Sequence, residues 1–341
     1  MKFKNQVFMT CILGLIFIVS GCGGGTNNSG SMADSANSND FGNSKVVRSE
    51  KLKIQVSFYP MYEFTKNVAG DLAEVEVLVP GGIEPHDWEP TPQDIKKIVD
   101  SDVLVYNGAG MESWIDQVLS AVGNDNLVKI EASHGLDIMV GSEEEAHEHE
   151  EEPHDHDGEE AHHHDHDGMD PHVWLSPALA IKEVRNIEAG LAEAVPDHKD
   201  EFKKNADNYV AKLEQLDQEF IDGLTNTKRK DFITQHAAFG YLAQAYGLTQ
   251  VPIAGLSPEQ EPSAAMMTEI VKFAKDNKVK TIFFETLVSS KVADTIAKEI
   301  GAKTAVLNPI EGLTEEDKTN QLDYLGIMRQ NLKSLQAALN E

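Results

Sequence analysis

Two blocks of alternating strand and helix patterns, separated by a stretch that is helical throughout, constrain the fold of this chain more than any other feature. The first block starts at Lys51, where apolar residues at 52, 54, 56 and 58 alternate with polar ones in the period of a β-strand. The same succession restarts at Asp231. Strands that alternate with helices form parallel sheets covered by helices, so the sequence predicts an α/β fold with two lobes and mostly parallel sheets.

Periodicity, proline and glycine give the expected boundaries of these elements. In the first block we expect strands at 52–58, 74–79, 102–106 and near 127, and helices at 60–70, from 91 onward and at 111–122. In the second block we expect strands at 231–235, 249–253, 280–284 and 304–307, and helices at 239–246, 262–277, 289–300 and from about 319 to the end.

The stretch from 177 to 224 connects the two blocks and is helical in composition. It is broken at Val195–Pro196, and beyond the break apolar residues recur every three or four positions from Phe202 to Phe220. This pattern predicts one long helix of about 27 residues, roughly 40 Å in length, between the lobes. The expected domains are an N-terminal lobe at 51–176, linking helices at 177–226 and a C-terminal lobe at 227–341.

The N-terminus has the features of a bacterial lipoprotein export signal. Lys2 and Lys4 precede an apolar run, Val7–Val19, that is too short to cross a membrane comfortably. The sequence Val-Ser-Gly-Cys that follows resembles a lipobox and ends at Cys22. We therefore predict a signal peptide at 1–21, lipidation of Cys22 and anchoring to the outer face of the bacterial cell membrane.

A Gly/Ser/Asn-rich segment follows the proposed lipidation site. Its composition predicts a flexible tether at 22–50. Cys11, the only other cysteine, lies in the signal that would be removed, so the mature protein is expected to contain no disulfide.

The acidic net charge of −28 argues against a nucleic-acid partner, since nucleic acid requires a basic face. An insert rich in acids and histidine contributes 13 of the acidic residues and runs from Glu143 to Gly168. Its histidines are His147, His149, His154, His156, His162, His163, His164 and His166. Few apolar residues are present, so a disordered loop is expected over about 142–168.

Such a loop can hold several metal ions weakly, but it cannot impose one geometry on one ion. We therefore interpret the insert as an accessory loop that collects metal ions and raises their local concentration. Two alternatives are a loop that senses excess metal and a solvated acidic run without a metal role.

Histidines outside the insert provide the candidates for a specific site. His86 and His236 each follow a predicted strand, at the edge where open α/β sheets bind ligands, and His172 lies in the connection to the linking helices. Three imidazoles that converge between two lobes suit a borderline ion such as zinc. His134 and His198 fit no such pattern and are not assigned a metal role.

Two carboxylates in the second lobe are candidates for a fourth ligand, with water as a further alternative. Glu285 and Glu311 both follow predicted strands. Gly312 is expected to permit the sharp turn that aims Glu311 at the cleft. Glu285 is also a candidate for a group that hydrogen-bonds to a ligand, or for an acid at a helix N-terminus.

Four motifs resemble a known family. They are GGIEPHDWEPTP at 81–92, DPHVWLSP at 170–177, QHAAFGYLAQAYGL at 235–248 and NPIEGLT at 308–314. Together with the lipobox they are similar to the zinc-specific solute-binding lipoproteins of bacterial ABC importers, the ZnuA/AdcA-like branch of the cluster A-I metal-binding family. The resemblance covers the chain from about Lys51 to its end.

The resemblance implies two α/β lobes joined by one rigid helix, with Zn²⁺ held between them. Carried over motif by motif, the ligands are His86, His172, His236 and Glu311. The manganese branch of the family typically has a carboxylate where His236 stands and an aspartate where Glu311 stands, so the resemblance favours zinc. The two tryptophans, Trp88 and Trp174, are interpreted as packing that steadies the ligand loops.

The sequence thus predicts a non-enzymatic, high-affinity zinc-binding protein. It would act as a monomer that delivers zinc to an ABC-transporter permease and, through the permease, serves its ATPase. One alternative is a zinc hydrolase with Glu285 or Glu311 as the base, although no His-Glu-x-x-His motif supports it. The other is a surface adhesin or metal scavenger that uses the same site.

Overall fold

The computed structural model of the protein describes residues 51–141 and 168–341. The predicted signal peptide at 1–21, the lipidated Cys22, the tether at 22–50 and the histidines of the insert lie outside these residues. The described residues belong to one compact unit, Arg48–Glu341.

A parallel four-stranded sheet forms the centre of the N-terminal lobe. Its strands are β1 (Leu52–Val56), β2 (Ala73–Val77), β3 (Val103–Tyr106) and β4 (Val128–Glu131), in the order β2-β1-β3-β4. The helices of this lobe are α1 (Tyr59–Ala69), α2 (Pro92–Val99) and α3 (Ile115–Ala121). The side chain of Thr91 caps α2 by accepting from the backbone N–H of Asp94. The carboxylate of Asp94 accepts in turn from the backbone N–H of Thr91, which completes a capping box.

Two helices occupy the stretch between the sheets. They are α4 (Pro177–Ala194) and α5 (Lys199–Leu224), and a turn that starts at Pro196 separates them. With 26 residues, α5 is close to the predicted length. Its buried face packs against α1, α4 and, further along the chain, a C-terminal helix.

The C-terminal lobe repeats the same architecture. Its parallel strands are β5 (Asp231–Thr234), β6 (Thr249–Pro252), β7 (Thr281–Phe284) and β8 (Lys303–Val306), in the order β6-β5-β7-β8. Its helices are α6 (Gly240–Ala245), α7 (Ala264–Asp276), α8 (Lys291–Ile300), α9 (Glu315–Thr319) and α10 (Tyr324–Leu339). The predicted fold of two α/β lobes with parallel sheets is confirmed, whereas the domain boundaries stay a prediction.

One hydrophobic core extends through both lobes. It includes Val56 and Val105 from the first sheet, Phe232 and Phe283 from the second, and Leu213 from α5, all of them buried. Since α5 contributes to the packing of both halves, its apolar stripe connects them through close-packed side chains. A frame of this kind resists large hinge motion.

The C-terminal helical region differs from its prediction. One helix was expected from about Thr319, but that residue ends α9, which Thr314 caps, and α10 starts only after the N-cap Asp323. Gln321 separates them with a φ of 54°. A capping side chain starts each helix, and a residue in the left-handed conformation separates the two helices. The spacing of apolar residues, on which the prediction relied, contains neither signal.

The start of α3 was also predicted too early, at 111 instead of Ile115. A tight turn precedes the helix, with Gly108, Ala109 and Gly110 all at positive φ. The carboxylate of Glu112 accepts hydrogen bonds from the backbone N–H groups of residues 107 and 108, at 2.8 and 3.0 Å. This side chain stabilises a turn where the sequence pattern suggests helix.

None of the helices in the described ranges combines the length and the apolar character that crossing a bilayer requires.

Replacing Leu213 by alanine tests the role of α5 in this core. Leu213 is fully buried, so the substitution is expected to lower the free energy of unfolding by about 2–5 kcal/mol. Urea unfolding of the metal-free protein, followed by circular dichroism, measures this change. The neighbouring Glu214→Ala, at an exposed position, is the control and should change stability by less than about 0.5 kcal/mol. Equal stabilities of the two variants would contradict the packing assigned to α5.

Candidate metal centre

Four side chains from distant parts of the chain meet between the two sheets. His86 lies in the loop between β2 and α2, and His172 lies in the connection to α4. His236 follows β5 and Glu311 follows β8. One nitrogen or oxygen atom from each side chain lies within 4.8 Å of the others. The carboxyl ends of parallel strands therefore supply three of the four groups, as expected for a ligand site of an open α/β sheet.

Five of the six distances between these atoms match the edges of a small tetrahedron, and the sixth, between His86 and His236, is within 4.8 Å. His172 Nε2 lies 3.2 Å from His86 Nε2 and 3.3 Å from His236 Nε2. The Oε1 atom of Glu311 lies 3.3, 3.4 and 3.6 Å from the Nε2 atoms of His86, His172 and His236, respectively. With zinc–ligand bonds of about 2.0–2.2 Å, tetrahedral edges measure about 3.3–3.6 Å. The four donors thus fit around a single zinc ion.

Carboxylates orient two of the imidazole rings. Nδ1 of His172 lies 2.8 Å from Asp170 Oδ1, and Nδ1 of His236 lies 2.5 Å from Glu285 Oε1. An imidazole that donates Nδ1–H to a carboxylate presents the lone pair of Nε2 on its other side, which is the form that binds a metal. Each carboxylate therefore fixes both the ring orientation and the tautomer that the centre requires.

The site is closed on most sides. The side chains of His172 and His236 are fully buried and that of Glu311 is 1% exposed, whereas that of His86 is 10% exposed. The backbone N–H of His86 donates to Glu84 Oε1 at 2.9 Å, which holds this more accessible loop in place. The His86 side is therefore the side on which solvent comes nearest to the centre.

The three imidazoles differ in their affinity for protons. Burial lowers the pKa of His86. Burial also acts to lower the pKa of His172, but hydrogen bonding to Asp170 outweighs it and the net pKa is raised. At His236 the negative charge of Glu285 overcomes burial and raises the pKa to about 10. Any ion that binds the Nε2 atoms must therefore displace protons.

Glu311 is ionised in this environment. Burial alone would raise its pKa, but hydrogen bonds from the three imidazoles hold the pKa well below its usual range. Its second oxygen, Oε2, is buried and has no hydrogen-bond partner among the described residues. Burying an ionised carboxylate with an unpaired oxygen is costly, and a cation bound at the neighbouring Oε1 would offset the charge of the group.

The structure brings together the four side chains predicted to be ligands, but their coordination of metal stays a prediction. Glu285, the alternative fourth ligand, contacts the far side of His236 and is not part of the group of four. His134 and His198 also lie outside the group, and the side chain of His134 is 82% exposed.

Asp170 is a residue of the site that sequence reasoning did not single out. Its Oδ1 accepts from both the backbone N–H and Nδ1 of His172, at 3.0 and 2.8 Å. The sequence contains a signal for this role, since an acid stands two residues before a candidate histidine ligand. A short turn allows two such side chains to meet.

The two tryptophans contribute to packing near the ligands. Trp174 is fully buried, its ring centroid lies 5.2 Å from that of His172, and its Nε1–H donates to the carbonyl of Pro309 at 2.8 Å. Trp88 packs edge-on against Trp114, with ring centroids 5.6 Å apart. Trp174 in addition ties the His172 segment to the loop that carries Glu311.

Two parallel-sheet lobes, a connecting helix and a buried N₃O donor set between the sheets define a metal-binding solute-binding protein. The model of the ZnuA family, described as "Zinc-uptake complex component A periplasmic", matches residues 54–338. The chain belongs to this family, and the resemblance seen in the four sequence motifs is confirmed.

Several relatives of known name are similar over most of the chain. The high-affinity zinc uptake system protein ZnuA of Bacillus subtilis is 52% identical over 292 residues, which cover 86% of this chain and 89% of the relative. The solved Zn(II)-bound ZnuA-like domain of Streptococcus pneumoniae AdcA is 43% identical, with a TM-score of 0.72 over 86% of this chain and all of that domain. The chain spans 56% of full-length AdcA, about half of that relative.

A third relative has a second activity. The laminin-binding protein Lmb of Streptococcus agalactiae is 36% identical, with a TM-score of 0.73 over 85% of this chain and all of the Lmb chain. Its structure is described as that of a bifunctional protein with adhesin and metal transporting activity.

Zinc binding is expected to release protons at neutral pH and to tighten as the pH rises. Below its pKa of about 10, His236 carries a proton that zinc must displace, so affinity falls as the pH falls. Each displaced proton changes the apparent affinity about tenfold per pH unit. Calorimetric titration in two non-chelating buffers with different ionisation enthalpies measures the proton count. Identical heats in both buffers would contradict the protonation assigned to the site.

Proposed function

We propose that this protein captures Zn²⁺ in the cleft between its lobes and delivers the ion, unchanged, to an ABC-transporter permease for import. The ligands would be His86, His172, His236 and Glu311. One observation carries the proposal, namely that five of the six distances between the donor atoms of these residues lie between 3.2 and 3.6 Å and the sixth is within 4.8 Å. Those distances fit a tetrahedral zinc ion.

The donor set favours zinc over harder ions. Magnesium and calcium prefer oxygen ligands in larger number, whereas three imidazole nitrogens suit zinc and its transition-metal neighbours. A nitrogen donor at position 236, where manganese-binding members of the family carry a carboxylate, supports zinc over manganese.

The same geometry supports binding without catalysis. A structural or transport site can be closed by four protein ligands, whereas a catalytic zinc keeps one position open for water or substrate. Here four side chains surround the centre. Glu285, a candidate base in the hydrolase alternative, is engaged with Nδ1 of His236 on the side away from the centre. We therefore propose that the protein is not an enzyme.

Family membership supports a proposal for partners and location. The B. subtilis relative is named as a component of a zinc uptake system, and AdcA is named as a lipoprotein. We propose that this chain acts as a monomer with a permease and its ATPase, and that acylated Cys22 anchors it to the outer face of the cell membrane.

An adhesin role is a second candidate because of the similarity to Lmb. Such a role would exist beside zinc capture, as in the bifunctional Lmb. The two functions are separable, since growth of a deletion strain on low zinc depends only on import.

The metal content of the mature protein tests the proposed function. After expression in mixed metals we expect one tightly bound zinc per chain, measured by elemental analysis. Loss of a group that hydrogen-bonds to a ligand typically lowers metal affinity by about 10- to 100-fold. His236→Ala should lower zinc affinity by more than about 100-fold, because it removes a ligand itself. In a deletion strain, the wild-type gene should restore growth on low zinc and His236→Ala should not. His134→Ala, at an exposed position outside the site, is the matched control.

The accessory role of the insert gives a separate prediction. Deletion of residues 143–167 should leave one tight zinc site, because the four cleft donors lie outside the deleted range. The full-length protein should bind additional zinc ions weakly, and this extra capacity should disappear in the deletion variant. Equilibrium dialysis over a range of zinc concentrations measures the number of tight sites and of weak sites. Loss of the tight site on deletion would refute this division of roles.

A further inference from the structure

The turn that aims Glu311 at the metal centre is made by an unexpected residue. Gly312 was expected to permit it, but the left-handed residue is Ile310, with a φ of 62°, and Gly312 is not among the described residues with positive φ. A β-branched side chain is strongly disfavoured in this conformation because its Cβ crowds the backbone. Ile310 is also fully buried. Neighbouring groups must therefore hold this conformation in place.

A side-chain amide from α10 provides the first hold. The side chain of Asn331 makes two hydrogen bonds to the backbone of Asn308. Its Oδ1 accepts from the Asn308 N–H at 2.8 Å, and its Nδ2 donates to the Asn308 carbonyl at 2.7 Å. The backbone N–H of Leu307, which follows β8, donates to the carbonyl of Phe284 at the end of β7. The Asn331 amide therefore pairs with the backbone of the chain just beyond β8, as a neighbouring strand would.

The side chain of Asn308 provides the second hold. Its Oδ1 accepts from the backbone N–H of Ile310 at 2.8 Å, which closes a tight turn around Pro309. The carbonyl of Pro309 accepts from Trp174 Nε1. From the N–H of Asn308 to the N–H of Ile310, every backbone donor and acceptor is thus bonded to a side chain, and proline has no N–H to satisfy.

Asn331 has no evident purpose apart from this contact. It is 2% exposed and lies on a helix whose other buried residues are mostly apolar, including Met328 and Leu335. A buried amide is destabilising unless its donor and its acceptor are both bonded, and here both bonds go to one residue of the ligand loop. The amide therefore favours one conformation of that loop over others.

We infer that Asn331 and Asn308 are positioning residues that hold Ile310 in its left-handed conformation and thereby keep the carboxylate of Glu311 at the metal centre. This inference rests on the proposed role of Glu311 as a ligand. Without the two amides the backbone at Ile310 would relax to negative φ, which redirects the next side chain. The centre would then keep three imidazoles and lose its carboxylate.

Zinc affinity and the visible spectrum of the cobalt-substituted protein test the inference in the full chain. Asn331→Ala should weaken zinc by about 10- to 100-fold, as is typical of groups that orient a ligand. Its cobalt spectrum should move toward that of Glu311→Ala, since both variants lack the same donor. Leu335→Ala, on the same face of α10, should lower stability but leave zinc affinity and the spectrum unchanged.

A second substitution separates positioning from general packing. In the Asn331→Ala background, Ile310→Gly and Ile310→Ala both remove the buried side chain beyond Cβ, but only glycine adopts positive φ without cost. The glycine double variant should bind zinc about tenfold more tightly than the alanine double variant. If Asn331→Ala folds poorly, the single variants suffice: Ile310→Gly should unfold at a higher temperature than Ile310→Ala.

The alternative results have distinct meanings. If Glu311→Ala leaves affinity and spectrum unchanged, the proposed ligand set and the positioning role both fail. If Glu311→Ala weakens zinc but Asn331→Ala does not, only the positioning role fails. It also fails if Leu335→Ala weakens zinc as much as Asn331→Ala does, or if glycine and alanine at position 310 give equal affinities or, as single variants, equal unfolding temperatures.

Discussion

The structure depends on keeping three imidazole nitrogens and one carboxylate oxygen within 4.8 Å of each other while most of these groups are out of contact with water. Glu311 is buried among the rings, and its charge is balanced only by groups at the same point. Burial of such a cluster is unfavourable unless each group is paired, so the surroundings must supply partners in fixed positions. Asp170 and Glu285 do this for two of the rings.

A rigid frame is the second requirement. The donors come from both lobes, so relative motion of the lobes would change the distances between donors directly. The continuous core opposes such motion, because α5 packs with both halves and Trp174 donates across to Pro309. We therefore expect release of the ion to depend on local changes in the ligand loops and not on large hinge closure. The loops of His86 and Glu311 suit this role, since one is the most accessible and the other contains a strained residue.

Metal ions and protons compete for the nitrogen atoms of the site. Acidic partners raise the proton affinity of His236 while they orient it for metal, so the same contact that prepares the ring also adds a competitor for the ion. An ion must bind nitrogen strongly to displace these protons, and zinc does so whereas magnesium and calcium do not. The chemistry of the donors therefore supports zinc as the cargo and makes its retention depend on pH.

Strand–helix alternation and four local motifs were enough to predict the fold class, the family and the three histidines of the centre, because these signals lie in consecutive residues. The presence of Glu311 and not Glu285 in the group, and the way the donors are held, were visible only in the folded chain. Asp170 bonds to His172 through a turn, Ile310 and not Gly312 takes the left-handed conformation, and Asn331 reaches Asn308 from a helix that follows it in the chain. The residues in such contacts are not spaced along the chain in a helix or strand period, so the sequence pattern does not indicate them. The energies of the contacts depend on burial and on geometry within tenths of an ångström, which only the folded chain defines.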